Sequence, residues 1–143
     1  MLELDVSGKH LWSKALGGDA DSVVNAVAVS PKGTIGATGT FTGAGDFGAG
    51  PVTSMGGDDA FLAVMDGAGK PSWGRVIAGV ASQRGTGVAF AANEDLMLSG
   101  TSNEVLDLSY QVPINVLTLP FTPLAPSMVF AVKLNAPGTT IAG

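Results

Sequence analysis

No cysteine occurs in the chain, and His10 is the only histidine. Disulfides, thiolate zinc sites, thioether haem attachment and thiol nucleophiles are thereby excluded, and the redox compartment is left open. A Ser-His-Asp triad would have to use His10, and no nucleophile elbow or oxyanion loop accompanies it. Positive charge is scarce as well: 7 Lys and Arg stand against 12 Asp and Glu, a formal net charge of -5 that no basic run offsets. A nucleic-acid phosphate backbone is therefore not the expected partner. Long apolar runs are missing too. The most apolar region, 105 to 134, carries Asp107, Pro113, Pro120, Pro123 and Pro126, which rules out a membrane helix there. Glu3 and Asp5 interrupt the apolar start, so no signal peptide is expected in the opening residues, and the chain reads as soluble.

What the chain has in quantity is glycine, 21 in all, with 8 prolines and 45% hydrophobic residues at only 13% charged. That balance is too apolar for disorder and describes many short strands joined by tight turns, in one domain or a piece of one. The turns can be located. Leu4-Asp5-Val6-Ser7-Gly8-Lys9-His10-Leu11-Trp12 returns as Met65-Asp66-Gly67-Ala68-Gly69-Lys70-Pro71-Ser72-Trp73, with one constant offset carrying Asp5 to Asp66, Gly8 to Gly69 and Trp12 to Trp73. Asp first and Gly fourth is the type I turn signature, so Asp5 to Gly8 and Asp66 to Gly69 each predict a β-hairpin. A decayed third copy, Leu134-Asn135-Ala136-Pro137-Gly138, follows at a somewhat larger offset, with Ala142 where the next Trp is due. Between positions 4 and 40, Asp5, Gly8, Lys9, Trp12, Gly18, Ala20, Val27, Ala28, Gly39 and Thr40 are all identical to their counterparts at the first offset. A repeat of this kind takes precedence over any local reading.

The predicted strands are Met1 to Leu4, His10 to Leu16, Val23 to Ser30, Thr34 to Phe41, Ala60 to Met65, Ser72 to Ile77, Gly85 to Ala92, Leu96 to Thr101 and Met128 to Leu134. The stretches 42 to 59 and 102 to 127 are connections, the second being the longer, which accounts for the larger second offset. In the Val23 strand, Val27 and Val29 alternate with Ala26 and Ala28, and in the Gly85 strand Val88 and Phe90 alternate with Gly87 and Ala89. Large alternating with small predicts a strand buried on both faces, its bulky side filling against the small side of the next sheet.

Four short strands per unit and a Trp at a fixed place describe a propeller blade. The residues Asp59 to Asp66 with Gly69 and Trp73, together with Leu4 to Trp12, Gly17 to Asp19, Asn25 to Val29 and Ala37 to Thr40, give a pattern that resembles the bacterial β-propeller repeat family often called the SBBP repeat. The resemblance implies a propeller of secreted or cell-surface bacterial proteins, and it supplies no catalytic residues. The expected architecture is thus all-β, with blades of four antiparallel strands in an incomplete propeller: half a blade at residues 1–16, a blade at 23–77 and another at 85–142, with a β-sandwich as the alternative. Two and a half blades would leave apolar faces open, which predicts a segment of a longer chain or assembly between copies.

Candidate chemistry is thin. Gly43-Ala44-Gly45-Asp46-Phe47-Gly48 matches a dinucleotide fingerprint, but Gly50 and Pro51 forbid the helix that would present its N-terminus to pyrophosphate, so a flexible loop is expected. Asp19, Asp21, Asp46, Asp58 and Asp59 lie in Gly-rich stretches without the spacing of a calcium loop and read as solvated turn carboxylates. Trp12 and Trp73 read as space-fillers between blades rather than a ligand platform. The turn motif is similar to the Trp-docking repeat of quinoprotein propellers, but there Gly stands four positions after Asp, and Gly8 and Gly69 stand three after. No catalytic, cofactor or metal residue is therefore assigned. The expected function is a structural or interaction module without chemistry of its own. Its expected partners are further blades, a second copy, or a protein or carbohydrate. The alternatives are part of a quinoprotein-like or hydrolytic propeller enzyme whose site lies elsewhere, or a calcium-dependent adhesion module.

Overall fold

Both Asp-to-Gly stretches close tight turns, and their hydrogen bonds show why these residues are needed. In the computed structural model, which describes residues 1–19, 21–48, 50–104 and 127–134, the Gly8 amide donates to the Asp5 carbonyl at 2.9 Å, while the Asp5 carboxylate accepts from the amides of Ser7 at 2.8 Å and Lys9 at 2.9 Å. Asp66 repeats this with Gly69, Ala68 and Lys70. Gly8 and Gly69 take φ of 82° and 75°, left-handed values that a side chain would resist. The third copy of the turn lies outside the described residues.

The first turn joins β1 (Leu2–Leu4) to β2 (His10–Ser13), an antiparallel hairpin that forms its own two-stranded sheet. Then come β3 (Ser22–Val29) and β4 (Ile35–Phe41), a short hairpin of β5 (Ala44–Asp46) and β6 (Pro51–Thr53), and β7 (Asp59–Met65) and β8 (Pro71–Ile77). These build a four-stranded antiparallel sheet in the order β3-β4-β7-β8, with β5 and β6 as a separate pair. β9 (Gln83–Phe90), β10 (Leu96–Ser102) and β11 (Met128–Leu134) form a second antiparallel sheet in the order β11-β10-β9. The chain is all-β, in open antiparallel sheets.

The second sheet repeats the first down to its irregularities. β3 bulges against β4 between Val24 and Ala26, leaving Asn25 unmatched; β9 bulges against β10 so that Thr86, the repeat counterpart of Asn25, is the unmatched residue. A bulge bends a strand and resets which side chains share a face, so its return at the corresponding position means that both sheets are shaped alike.

The sheets stack face to face through apolar side chains, large against large over most of the contact and large against small at Gly36. Ala60, Leu62, Val64 and Ile77 on one face of the first sheet meet Leu96, Leu98, Phe130, Val132 and Leu134 of the second in one buried cluster, with Trp73, Val88 and Phe90 packed against it. Gly36 is what lets Phe90 in. A Cβ there would stand 3.1 Å from the Phe90 ring and 3.3 Å from Val88. Asn25 crosses the seam, its amide donating to the Gly85 carbonyl at 2.8 Å. The bulky side of β9 thus fills against a small residue as expected, but burial on both faces is not observed for this strand, since Ala89 on its small face is exposed.

The opposite face of the first sheet is covered by a second cluster, where Phe47 stacks on Phe61 at 4.1 Å and meets Phe41 edge-on at 4.8 Å, with Leu16, Val52 and Val76 around them. This corrects the expected flexible loop at 43–48. Phe47 is only 2% exposed, and burying that ring is what fixes the β5–β6 hairpin over the sheet. A second correction concerns β3. Its bulky face is not buried: Val27 and Val29 remain 51% and 64% exposed, because the β1–β2 hairpin has two strands and does not extend over them.

Candidate interaction surface

The exposed valines lie beside the seam at which the first hairpin meets the four-stranded sheet. Cross-strand partners share a face, so Val24, Val27 and Val29 stand with Gly39, Ala37 and Ile35, on the side away from the second sheet. Trp12 anchors the hairpin to this side. Its indole N–H is shared between the Glu3 carboxylate and the Gly67 carbonyl, the latter at 3.2 Å, and its ring packs on Gly69 so closely that a Cβ there would come within 2.5 Å. Leu2, Glu3, Trp12, Val27, Val29 and Ile35 border an open groove of about 260 Å³. Its side chains are apolar but for Glu3. Leu4 and Leu11 add further half-exposed leucines on the hairpin itself. An apolar groove with exposed valines and leucines around it, at the edge of an otherwise packed sheet, has the character of a contact surface.

The other end of the sheets is polar and closed. Asp59 opens β7 fully buried, with its two oxygens accepting separately from the amides of Met55 at 2.7 Å and Gly79 at 3.1 Å. Burial raises its pKa above the usual carboxylate value, the two amides lower it, and the neighbouring Glu104 and Asp58 push it up further. Glu104 in turn accepts from the Gln83 side chain at 2.8 Å and the Ala81 amide at 3.3 Å. These bonds tie the chain leaving β8 to the start of β9 and the end of β10. A smaller cleft of about 150 Å³ opens between Asp21, Asn25, Thr42, Asp58 and Arg84, and Arg84 and Asp58 pair across it at 3.4 Å, both partly exposed. An exposed pair of that length contributes little to stability.

The remaining sequence candidates are dispersed. Gly43 to Gly48 runs through β5 into a turn, where the Asp46 carboxylate accepts from the Gly48 amide at 2.8 Å, and no helix follows. Asp19 and Asp21 are exposed, whereas Asp59, expected in a solvated turn, is the buried staple just described. Among the described residues no group of three or more His, Asp or Glu side chains could hold a metal ion. His10 is exposed on β2. Trp73 lies between the sheets with the Arg75 guanidinium 5.5 Å from its ring centre, and burial lowers the Arg75 pKa. Among the described residues no helix is long and apolar enough to cross a membrane.

Two features went unread in the sequence. Asp59 looks like its neighbour Asp58 until β7 is known to start at it. Glu94 holds a left-handed φ of 71° in the β9–β10 turn, at the place where the β3–β4 turn uses Gly33. The repeat offset was the available signal, since it aligns a glutamate with a glycine. Its carboxylate accepts from the Thr34 hydroxyl at 3.1 Å across the seam, and hydrogen bonds from Ser30 and Thr34 lower its pKa, Ser30 foremost.

No protein-family model matches the chain, and no curated protein sequence matches it.

Proposed function

We propose that this chain is a repeat module of propeller type, related to the SBBP repeats of secreted and cell-surface bacterial proteins, that works by contact and carries no chemistry of its own. The observation that carries the reading is the repetition itself. A second sheet with a bulge at the corresponding position and the same antiparallel strand order docks its bulky side chains onto one face of the first. A unit built to stack on its like presents unsatisfied stacking faces at its ends, and the Val24, Val27 and Val29 strip is such a face. Acidic, cysteine-free composition suits a protein partner or a second copy better than nucleic acid.

Light scattering of the purified chain over a concentration series tests this, beside a Val27→Asp/Val29→Asp variant. The expected outcome is concentration-dependent association of the wild-type chain, abolished in a variant with unchanged far-UV circular dichroism. A wild-type chain that stays monomeric at every concentration would remove the basis of the reading.

A further inference from the structure

The groove beside the first hairpin has one wall made of backbone. The Met1 amino group donates to the Lys14 carbonyl and the Lys14 amide to the Met1 carbonyl, both at 2.8 Å, and Glu3 stands opposite Trp12. Alternate residues of an antiparallel strand bond to the same neighbour, so Leu2 and Leu4 turn their amides and carbonyls to the other edge of β1. The next unit shows what belongs there. Leu2 and Leu4 have Ala63 and Met65 as their repeat counterparts, and along β7 that edge is taken by β4, with Ala37 opposite Ala63 and Ile35 opposite Met65. Beside β1 no described strand fills the place, since its sheet has the order β1-β2.

The floor of the groove restricts what can enter. Val27 and Val29 correspond to Val88 and Phe90, and these dock where the facing strand offers Gly36. A strand laid on Val27 and Val29 therefore needs small side chains on its inner face, while Trp12, held by Glu3 and Gly67, bounds the groove at its side. β4 itself is the template, with Gly36, Thr38 and Thr40 along one face.

We propose that this groove is a strand-addition site, taking an extended polypeptide segment that carries Gly, Ala, Ser or Thr at alternate positions. Backbone bonds to Leu2 and Leu4 supply the affinity, and the valine floor selects small residues, the division of labour general to strand addition. The proposal rests on the module reading above and names the surface through which it acts.

The test uses the full chain and a synthetic peptide copying residues 34–41, Thr-Ile-Gly-Ala-Thr-Gly-Thr-Phe. Tryptophan emission and light scattering follow binding, and hydrogen exchange follows the Leu2 and Leu4 amides. The expected result is saturable binding of one peptide per chain, slower exchange at both amides, and conversion of associated chain to the mass of one chain plus peptide. Leu2→Pro removes an outward amide without touching the bonds to β2, and it should weaken binding at least tenfold. A peptide with Phe in place of both the Gly36 and Thr38 equivalents should not bind. Absence of saturable binding, or equal binding by Leu2→Pro or by the Phe peptide, overturns the proposal. Should the chain still self-associate in a manner abolished by Val27→Asp/Val29→Asp, the module reading survives that failure; if it does not self-associate either, both fall.

Discussion

Asp59→Asn sets two effects of the same buried group against each other. The substitution keeps shape and removes charge, so it relieves the burial that raises the Asp59 pKa. It also leaves one acceptor oxygen where two amides, Met55 and Gly79, each need one, and it turns an NH₂ toward the other amide. A hydrogen bond to a charged group contributes about 1.5–3 kcal/mol, and a buried donor left unpaired costs about 1–3 kcal/mol. Relief of burial offsets part of this, leaving a net loss of about 1–2 kcal/mol at pH 7. At about 3 °C per kcal/mol for a chain of this size, Tm should fall by about 3–6 °C. The pH dependence gives the sign independently. A carboxyl whose folded pKa lies above its unfolded value contributes stability that is present below about pH 3.8 and is lost as pH rises through the folded value. Carboxylates other than Asp58 and Glu104, which feel the Asp59 charge, titrate alike in both proteins and cancel, so the gap between wild type and Asp59→Asn should widen on acidification from pH 7 toward pH 4. Thermal melts at pH 7, 5 and 4 measure it. A variant as stable as wild type at pH 7 would refute the need for both oxygens, and a gap that narrows in acid would refute the dominance of burial.

Other expectations follow from single contacts. Phe90→Ala removes the half-buried ring seated over Gly36 and should cost about 2 kcal/mol, below the range for a fully buried Phe, with faster amide exchange in β9 and β10 read by NMR. Gly69→Ala meets a left-handed φ of 75° and the Trp12 ring at once; a loss of at least about 1–2 kcal/mol in urea titration is expected, with a red shift of tryptophan emission. Asp5 has its pKa lowered, first by the Ser7 hydroxyl and then by the Lys9 amide, so its contribution to the first hairpin is present above about pH 3.8 and is lost as pH falls through the lowered folded value. Carboxyl-carbon NMR of Asp5 should titrate below that value, and Ser7→Ala should raise its midpoint.

The turns, the strand order and the large-on-small alternation were legible because each depends on residues close in sequence: Asp5 and Gly8 define a turn without help from elsewhere, and Val88 with Phe90 declare a bulky face. Burial of β3 is not legible, for the opposite reason. Val27 and Val29 carry the same pattern as Val88 and Phe90, but exposure depends on what stands opposite, and composition within a strand does not encode its neighbour. The β5–β6 hairpin was hidden by its glycines, which read as a loop until Phe47 is seen to find Phe41 and Phe61 across the sheet. Asp59 was equally opaque, its role set by the distant amides of Met55 and Gly79. Of the candidate surface, the fixed repeat position of Trp12 points to a seam, where Trp12 indeed bonds Gly67 and packs on Gly69, whereas the groove beside it emerges only when the hairpin is laid against the sheet.

In both larger sheets each strand pairs with the one before or after it along the chain, and the excursion between β4 and β7 is occupied by a hairpin of its own. Loop closures within a sheet are therefore short wherever the connections are, and folding can advance one strand at a time from any turn. The long-range steps that remain are the closures that pair β4 with β7 and β10 with β11, and the docking of the finished sheets. For this chain the slow event on the way to the native state should be the meeting of the two sheets across Gly36, and Phe90→Ala should retard that phase while leaving hairpin formation at its original rate.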